Sequence, residues 1–212
     1  MLTVLCLLVD SRQSGAQSNG TWIDRFGGVE GLNGTVNALA ATDSGEVYVG
    51  GFFTEAGGNV VSYVAKWTGA AWEGLRGGVE DYVYALELTE LGDLYVGGSF
   101  VEADGQEARD VARWTGEEWE ALVGLHGWVH ALAANDTSLF AGGRFGATDQ
   151  DQAHRLASWN SDGWLDVGGG VRCPCQLEDN AMVNALAMGR EGLYVGGYFL
   201  EAGDQPASNI AL

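Results

Sequence analysis

The phrase Leu94-Tyr95-Val96-Gly97-Gly98-Ser99-Phe100 is one of four near-copies in the chain. The others are Val47-Tyr48-Val49-Gly50-Gly51-Phe52-Phe53, Leu139-Phe140-Ala141-Gly142-Gly143-Arg144-Phe145 and Leu193-Tyr194-Val195-Gly196-Gly197-Tyr198-Phe199. The first glycines of the pairs are 47, 45 and 54 residues apart. Self-similarity at this period marks a repeat architecture and decides the fold before any single residue does. It says much less about activity.

Working outward, each pair is preceded by a Val-x-Ala-Leu run: Val36 to Leu39, Val83 to Leu86, Val129 to Leu132 and Val183 to Leu186. After the pair, two tryptophans recur five residues apart: Trp67 and Trp72, Trp114 and Trp119, Trp159 and Trp164. The first of them always stands 16 residues beyond the second glycine. Thr68-Gly69, Thr115-Gly116 and Asn160-Ser161-Asp162-Gly163 separate the tryptophans, which is hairpin punctuation. Each unit therefore reads as four short strands: a (Val-x-Ala-Leu), b (Gly-Gly), c (ending at the first Trp) and d (starting at the second). Short, evenly spaced strands with turn signals and no long helical pattern predict an all-β array, and a four-stranded unit of this length is the size of a propeller blade. Small residues fall on the expected inner strands, where a missing Cβ lets backbones approach. The tryptophans fall on the outer strands, where a wedge-shaped gap is widest.

The units run over 36–78, 83–124, 129–170 and, in part, 183–212, within a repeat region of 18–212. Residues 21–28 match a lone strand d. Two arrangements stay open. That strand could complete the last unit and close a four-bladed ring, which would remove exposed sheet edges. Alternatively the chain is a segment of a larger propeller. The spacing favours the segment, since the next Trp would fall at 213 and the chain ends at Leu212. Residues 1–17 stand outside the repeats. Leu2 to Val9 is apolar and Ser14-Gly15-Ala16 precedes Gln17, as in a short secretory signal; a remnant strand is the competing reading. The run is too short to span a bilayer, which takes about 20 apolar residues.

The Gly-Gly phrase, the following Glu-Ala-Gly (Glu55 to Gly57, Glu201 to Gly203), the Val/Ile-Ala strand and the closing Trp together resemble kelch-type propeller repeats. They are most similar to the repeats of fungal cortical markers of cell polarity and of secreted bacterial repeat proteins. The Trp–Trp pair departs from ordinary kelch units, which more often carry Tyr and Trp. The resemblance implies an extracellular or cell-surface protein used in adhesion, anchoring or recognition of a protein or glycan.

Net charge is −19, and Lys66 is the only lysine. Nucleic acid is thereby disfavoured, because phosphate binding needs clustered Lys and Arg. The acids gather in the expected b–c loops: Glu55; Glu102, Asp104, Glu107 and Asp110; Asp149 and Asp151; Glu201 and Asp204. In a propeller these loops share a face with the d–a connections, which add Glu80 and Asp81. The acidic face reads either as a site for Ca²⁺ or a basic partner, or as a solvated surface that keeps the protein soluble. No EF-hand pattern occurs, which favours the second.

Cys173-Pro174-Cys175 sits in the longest connection, where a local disulfide or two thiols are both open; Cys-x-Cys alone is a weak metal signal. Asn19, Asn33 and Asn135 begin Asn-x-Thr sequons, sites for glycans in a secreted eukaryotic protein, though Asn-Gly is also simply a good turn. No nucleophile elbow or phosphate loop is present. The chain is expected to be a non-catalytic binding or structural propeller. A sugar-acting enzyme using carboxylates of the acidic face is the alternative.

Overall fold

The computed structural model describes residues 30–147, 155–174 and 180–212. The expected leader, the lone strand d at 21–28, Asn19, Asp149, Asp151 and Cys175 lie outside the described residues. Everything described is strand, turn or irregular, with no helix and hence none long and apolar enough to cross a membrane.

The repeats fold as four successive antiparallel meanders. The first sheet holds β1 (Thr35–Ala41) and β2 (Val47–Phe52). A two-residue ladder of β3 (Glu55–Ala56) and β4 (Asn59–Val60) follows, then β5 (Val64–Trp67) and β6 (Trp72–Gly74). The second repeats this as β7 (Val83–Leu88), β8 (Leu94–Gly98), the ladder β9 (Glu102–Ala103) and β10 (Gln106–Glu107), β11 (Val111–Trp114) and β12 (Trp119–Ala121). The third comprises β13 (Leu125–Ala134), β14 (Leu139–Ala147), β15 (Leu156–Asn160) and β16 (Gly163–Asp166). Beyond a short β17 (Val171–Arg172), the fourth holds β18 (Met182–Met188), β19 (Leu193–Tyr198), the ladder β20 (Glu201–Ala202) and β21 (Gln205–Pro206), and β22 (Ile210–Ala211). Main strands lie in chain order within each sheet: a beside b beside c beside d in the first three, and a beside b beside c in the fourth. The Trp pairs are directly opposed across the c–d hairpins, their rings 5.3–5.4 Å apart. Gly69 and Gly116 take positive φ at the first turn position, as a two-residue II′ hairpin requires.

Adjacent sheets pack face to face, and the Gly-Gly pair explains how. The first glycine faces the next sheet. A Cβ on Gly97 would sit 2.7 Å from Val129 Cγ1 and 3.3 Å from Leu132, and Gly50 and Gly142 stand in the same relation to Val83 with Leu86 and to Val183 with Leu186. The second glycine faces its own strand a: a Cβ on Gly51 would overlap the Thr35 carbonyl, and Gly98, Gly143 and Gly197 repeat the clash against Tyr82, Trp128 and Met182. So the Val-x-Ala-Leu run of one sheet seats on the first glycine of the sheet before it. The phenylalanine closing each phrase fills the core: Phe53, Phe100, Phe145 and Phe199 are all buried. At the outer edge the second tryptophan ties sheets together, Trp119 Nε1 donating to Leu75 O and Trp164 Nε1 to Leu122 O, each at 2.8 Å. Contacts run from each sheet to the next; no closely contacting pair of described strands joins the first sheet to the last.

Two features do not follow from the repeat pattern. Each a–b pairing slips by one residue inside Val-x-Ala, so Asn37, Tyr84, His130 and Asn184 are extra residues in β-bulges. A bulge re-aims its side chain and sharpens the local twist. In addition, the expected b–c loops contain small hairpins, with positive φ at Gly57-Gly58 and Asp104-Gly105 as type I′ turns demand. Each hairpin is stitched to the segment entering strand a of its own unit. Leu32 bridges Ala56, Val79 bridges Ala103, and Val171 pairs with Ala202.

Candidate functional site

The b–c hairpins and the connections entering strand a lie at one end of the sheets, where each hairpin pairs with the entering segment. Most of the acids there have local partners. Asp104 sits at φ +50° and accepts a hydrogen bond from Gly77 N at 3.0 Å, with Arg76 3.9 Å away. Glu107 accepts from Arg109 Nε at 3.0 Å. Asp204 lies 3.1 Å and Glu201 4.0 Å from Arg172. Glu80 accepts from Val101 N. Glu55 and Glu102 are exposed on their hairpins. Among the described residues no group of three His, Cys, Asp or Glu side chains gathers to hold a metal ion.

Asp110, expected on the exposed acidic face, is instead buried, and this corrects the sequence reading. It occupies the residue before strand c, a position that takes positive φ in every sheet (Tyr63, Asp110, Arg155, Asn209) because its carbonyl receives the N–H of the second glycine. Its carboxylate accepts from Gly127 N at 3.0 Å. Burial pushes its pKa up to about 6, opposed by that hydrogen bond and by Arg109. Asn33 and Asn135 act as local braces. Asn33 Oδ1 accepts from Thr54 N and Glu55 N, and Asn135 Oδ1 from Thr137 N and Ser138 N. Cys173 is buried, its Sγ 3.9 Å from Tyr198 O.

What the sheets bring together at this same end is aromatic. Phe52, at the end of β2, stacks on Tyr82 with ring centroids 4.4 Å apart and planes within 9°. Phe52 also meets Tyr63 at 5.9 Å. Tyr82 lies 6.1 Å from Tyr84, Tyr84 meets His130 edge-on at 5.2 Å, and His130 stacks near Trp128 at 6.3 Å. The row thus crosses three sheets. The bulges place Tyr84 and His130 in it, and the residues before the Val of strand a supply Tyr82 and Trp128. Polar groups flank the row. Arg144 is paired opposite Trp128, and His130 is hydrogen-bonded to the Asn184 side chain. Burial, reinforced by the Arg144 charge, lowers the His130 pKa against the effect of Asn184, so the ring is neutral at pH 7. Phe52, Tyr82 and Trp128 are exposed, Trp128 by 48%.

A surface row of large rings beside a guanidinium, an imidazole and an amide can stack on flat apolar faces and bond the hydroxyls around them. Sequence reasoning missed it. Its only trace is that the residues flanking the Val of strand a are aromatic in the two middle units while the frame around them stays fixed.

No protein-family model matches the chain, and no curated protein matches it. Solved structures do. The extracellular domain of the one-component system BT4673 from B. thetaiotaomicron aligns at a TM-score of 0.50 with 13% identity, over 83% of this chain and 22% of that one. A second structure of a BT4673 extracellular domain, described as part of a hybrid two-component system, aligns at 0.48 and 13% over 76% and 20%. PorZ, a surface component of the type-IX secretion system of Porphyromonas gingivalis, aligns at 0.48 and 12% over 92% and 29%. The chain thus spans less than a third of the length of these neighbours, and the likeness to the first shows an all-β fold of the same kind.

Proposed function

We propose that the stacked sheets are blades of a β-propeller built from kelch-like repeats, and that the chain is a non-catalytic, extracellular or cell-surface module that binds a glycan. The propeller reading is supported by three meanders of a-b-c-d order and a fourth of a-b-c order, stacked through their a and b strands, as wedge-shaped blades would be. Placement outside the cell is supported by the resemblance of the repeats to secreted and surface proteins; the first structural neighbour is itself an extracellular domain.

The single observation that carries the ligand class is the aromatic row set between Arg144, His130 and Asn184. A sugar ring offers C–H faces to stack on such rings and equatorial hydroxyls to the polar groups beside them. A peptide would be expected to use the exposed acids as well, through basic residues.

The test is binding of the purified chain to an immobilised glycan panel, followed by calorimetry on the best binder, with release of free sugar read in parallel. Trp128→Ala should weaken binding at least about tenfold, the effect of losing a recognition hot spot, with the melting temperature unchanged because the ring is half exposed. Glu102→Gln with Glu55→Gln should leave glycan affinity within about twofold. Retained affinity in Trp128→Ala would sink the reading, and loss in the Glu variant would move recognition to the acids.

A further inference from the structure

Each joint between sheets seats a Val-and-Leu knob of one strand a on a glycine of the strand b before it. In the first two joints a tyrosine of that strand b also meets two residues of the next sheet, the last of strand a and the first tryptophan. At the first joint these are Tyr48, Leu88 and Trp114. They pack closely, with Tyr48 exposed by 7% and Trp114 by 8%. At the second joint the same places hold Tyr95, Ala134 and Trp159. Ala134 pairs with Leu139 as Leu88 pairs with Leu94, so the two positions are equivalent. Alanine lacks the body that leucine puts into the joint, and Tyr95 and Trp159 are only half-buried. The space stays open as a cleft of about 680 Å³ between the a–b hairpins of the second and third sheets, walled in part by these two rings. A cleft of that size takes a small molecule.

The charges around the cleft do not balance. Arg113 is already paired, with Asp93 and with Glu120. Lys66 and Glu46 repeat that pairing on the first sheet, so it belongs to the common frame. Glu87 does not: it stands opposite Tyr95, where the first sheet has Ala40 opposite Tyr48. Its carboxylate reaches to the third sheet and accepts from Ala134 N at 3.0 Å. Burial raises the Glu87 pKa, against the effect of that hydrogen bond. Glu90 and Asp136 line the cleft from the two hairpins. Among the described residues none of these three acids has an ion pair, whereas most acids at the opposite end have local partners.

We infer that the cleft between the second and third sheets binds a small aliphatic amine with more than one ammonium group, its chain against Tyr95 and Trp159 and its charges toward Glu87, Glu90 and Asp136. An alkyl chain fills the place that leucine takes at the first joint. An ammonium is attracted both to the face of an aromatic ring and to a carboxylate. One charge would answer Glu87 alone; the acids on the two hairpins call for a second. A neutral or anionic ligand would leave Glu87 half-buried without a counter-charge. The a–b hairpins lie at the opposite end of the strands from the b–c hairpins, so the inference is independent of the glycan reading.

The test is calorimetry on the full 212-residue chain at moderate salt, with cadaverine and spermidine as probes and pentanediol as the uncharged control. Both amines should bind at a single site and pentanediol should not. Ala134→Leu rebuilds the packing of the first joint and should abolish binding, with the melting temperature unchanged or raised. Glu87→Gln keeps an acceptor for Ala134 N, removes the charge and should weaken binding at least about tenfold. If Ala134→Leu proves unstable, Glu87→Gln and the uncharged control carry the test. Glu55→Gln with Glu102→Gln, at the other end, should leave amine affinity within about twofold. Absence of amine binding overturns the inference, and so does equal binding of pentanediol. Binding of several equivalents that a folded Ala134→Leu or Glu87→Gln leaves untouched overturns it too, since that is diffuse attraction to a chain of net charge −19. A lysine-rich peptide that binds where the free amines do not would also overturn it and give the cleft to a protein partner.

Discussion

The interlock between sheets predicts opposite outcomes for one substitution at two equivalent positions. Gly97 and Gly196 are the same residue of the same phrase, and neither has the positive φ that would itself exclude alanine. In Gly97→Ala the new methyl arrives 2.7 Å from Val129 Cγ1 and 3.3 Å from Leu132. Both neighbours are buried in β-strand, so one must leave its rotamer or the sheets must part. Overpacking of this kind costs about 1–3 kcal/mol. Against this, alanine restricts the unfolded chain and returns about 0.4–1 kcal/mol. For a chain of this size each kcal/mol moves the melting point by about 2–4 °C, so Gly97→Ala should melt several degrees below wild type. Gly196→Ala meets only Ala185 at 3.8 Å and keeps the entropic gain, so it should melt level with wild type or slightly above. The assay is chemical and thermal unfolding by tryptophan fluorescence at high dilution, where the single chain is the species observed. Equal destabilisation of the two variants would refute the reasoning, since the glycines would then be needed for strand geometry and not for room between sheets.

Asp110 gives a pH prediction. Its pKa is raised from 3.8 to about 6 in the folded chain, so the fold holds its proton more tightly than the unfolded chain does, and its contribution is fully present below pH 4 and lost as pH rises through 6. Asp110→Asn keeps an acceptor for Gly127 N and should remove this loss, so its stability advantage over wild type should grow between pH 4 and pH 7, read from paired urea titrations. Trp119→Phe leaves the Leu75 carbonyl without its indole donor and should cost about 1–3 kcal/mol in the same assay, and Trp164→Phe should match it through Leu122. Leu132→Ala, in the buried third sheet, should destabilise by about 2–5 kcal/mol, whereas Leu39→Ala at the equivalent exposed position should fall within about 0.5 kcal/mol of wild type.

The repeat made the strand order legible because period, glycine pair and tryptophan pair are local patterns read against each other. The tryptophans even announce their register, since five residues with a Gly-first turn can only be a short hairpin. The glycines were legible as sites of close approach, but not that the two serve different neighbours, because that depends on which face of strand b meets which sheet. The bulge at Asn37, Tyr84, His130 and Asn184 is invisible in the sequence for the same reason: it is a property of pairing between strands. With the bulge unseen, nothing in the sequence sets Tyr84 beside His130, and the aromatic row cannot be assembled. The acids were legible as a face and not as individuals. Asp110 shares its position with Tyr63, Arg155 and Asn209, and what these have in common is a backbone conformation that no side-chain property reports.

The knob-and-glycine joint has a consequence for how such a chain changes over generations. Because every joint presents the same two halves, a unit copied in tandem would find a fitting neighbour on either side, and a lost inner unit would leave the two that flanked it able to meet. The number of units is therefore free to drift by duplication or deletion without a compensating change elsewhere. The side chains lifted out at the bulges do not seat on a glycine, although Asn37 reaches across the first joint to the Val83 carbonyl, and they differ from unit to unit while the Val and Leu beside them do not. The residues that seat one sheet on the next are thus largely distinct from those that vary at the surface, and the outer face can change by substitution at a handful of positions while the scaffold beneath it is simply copied.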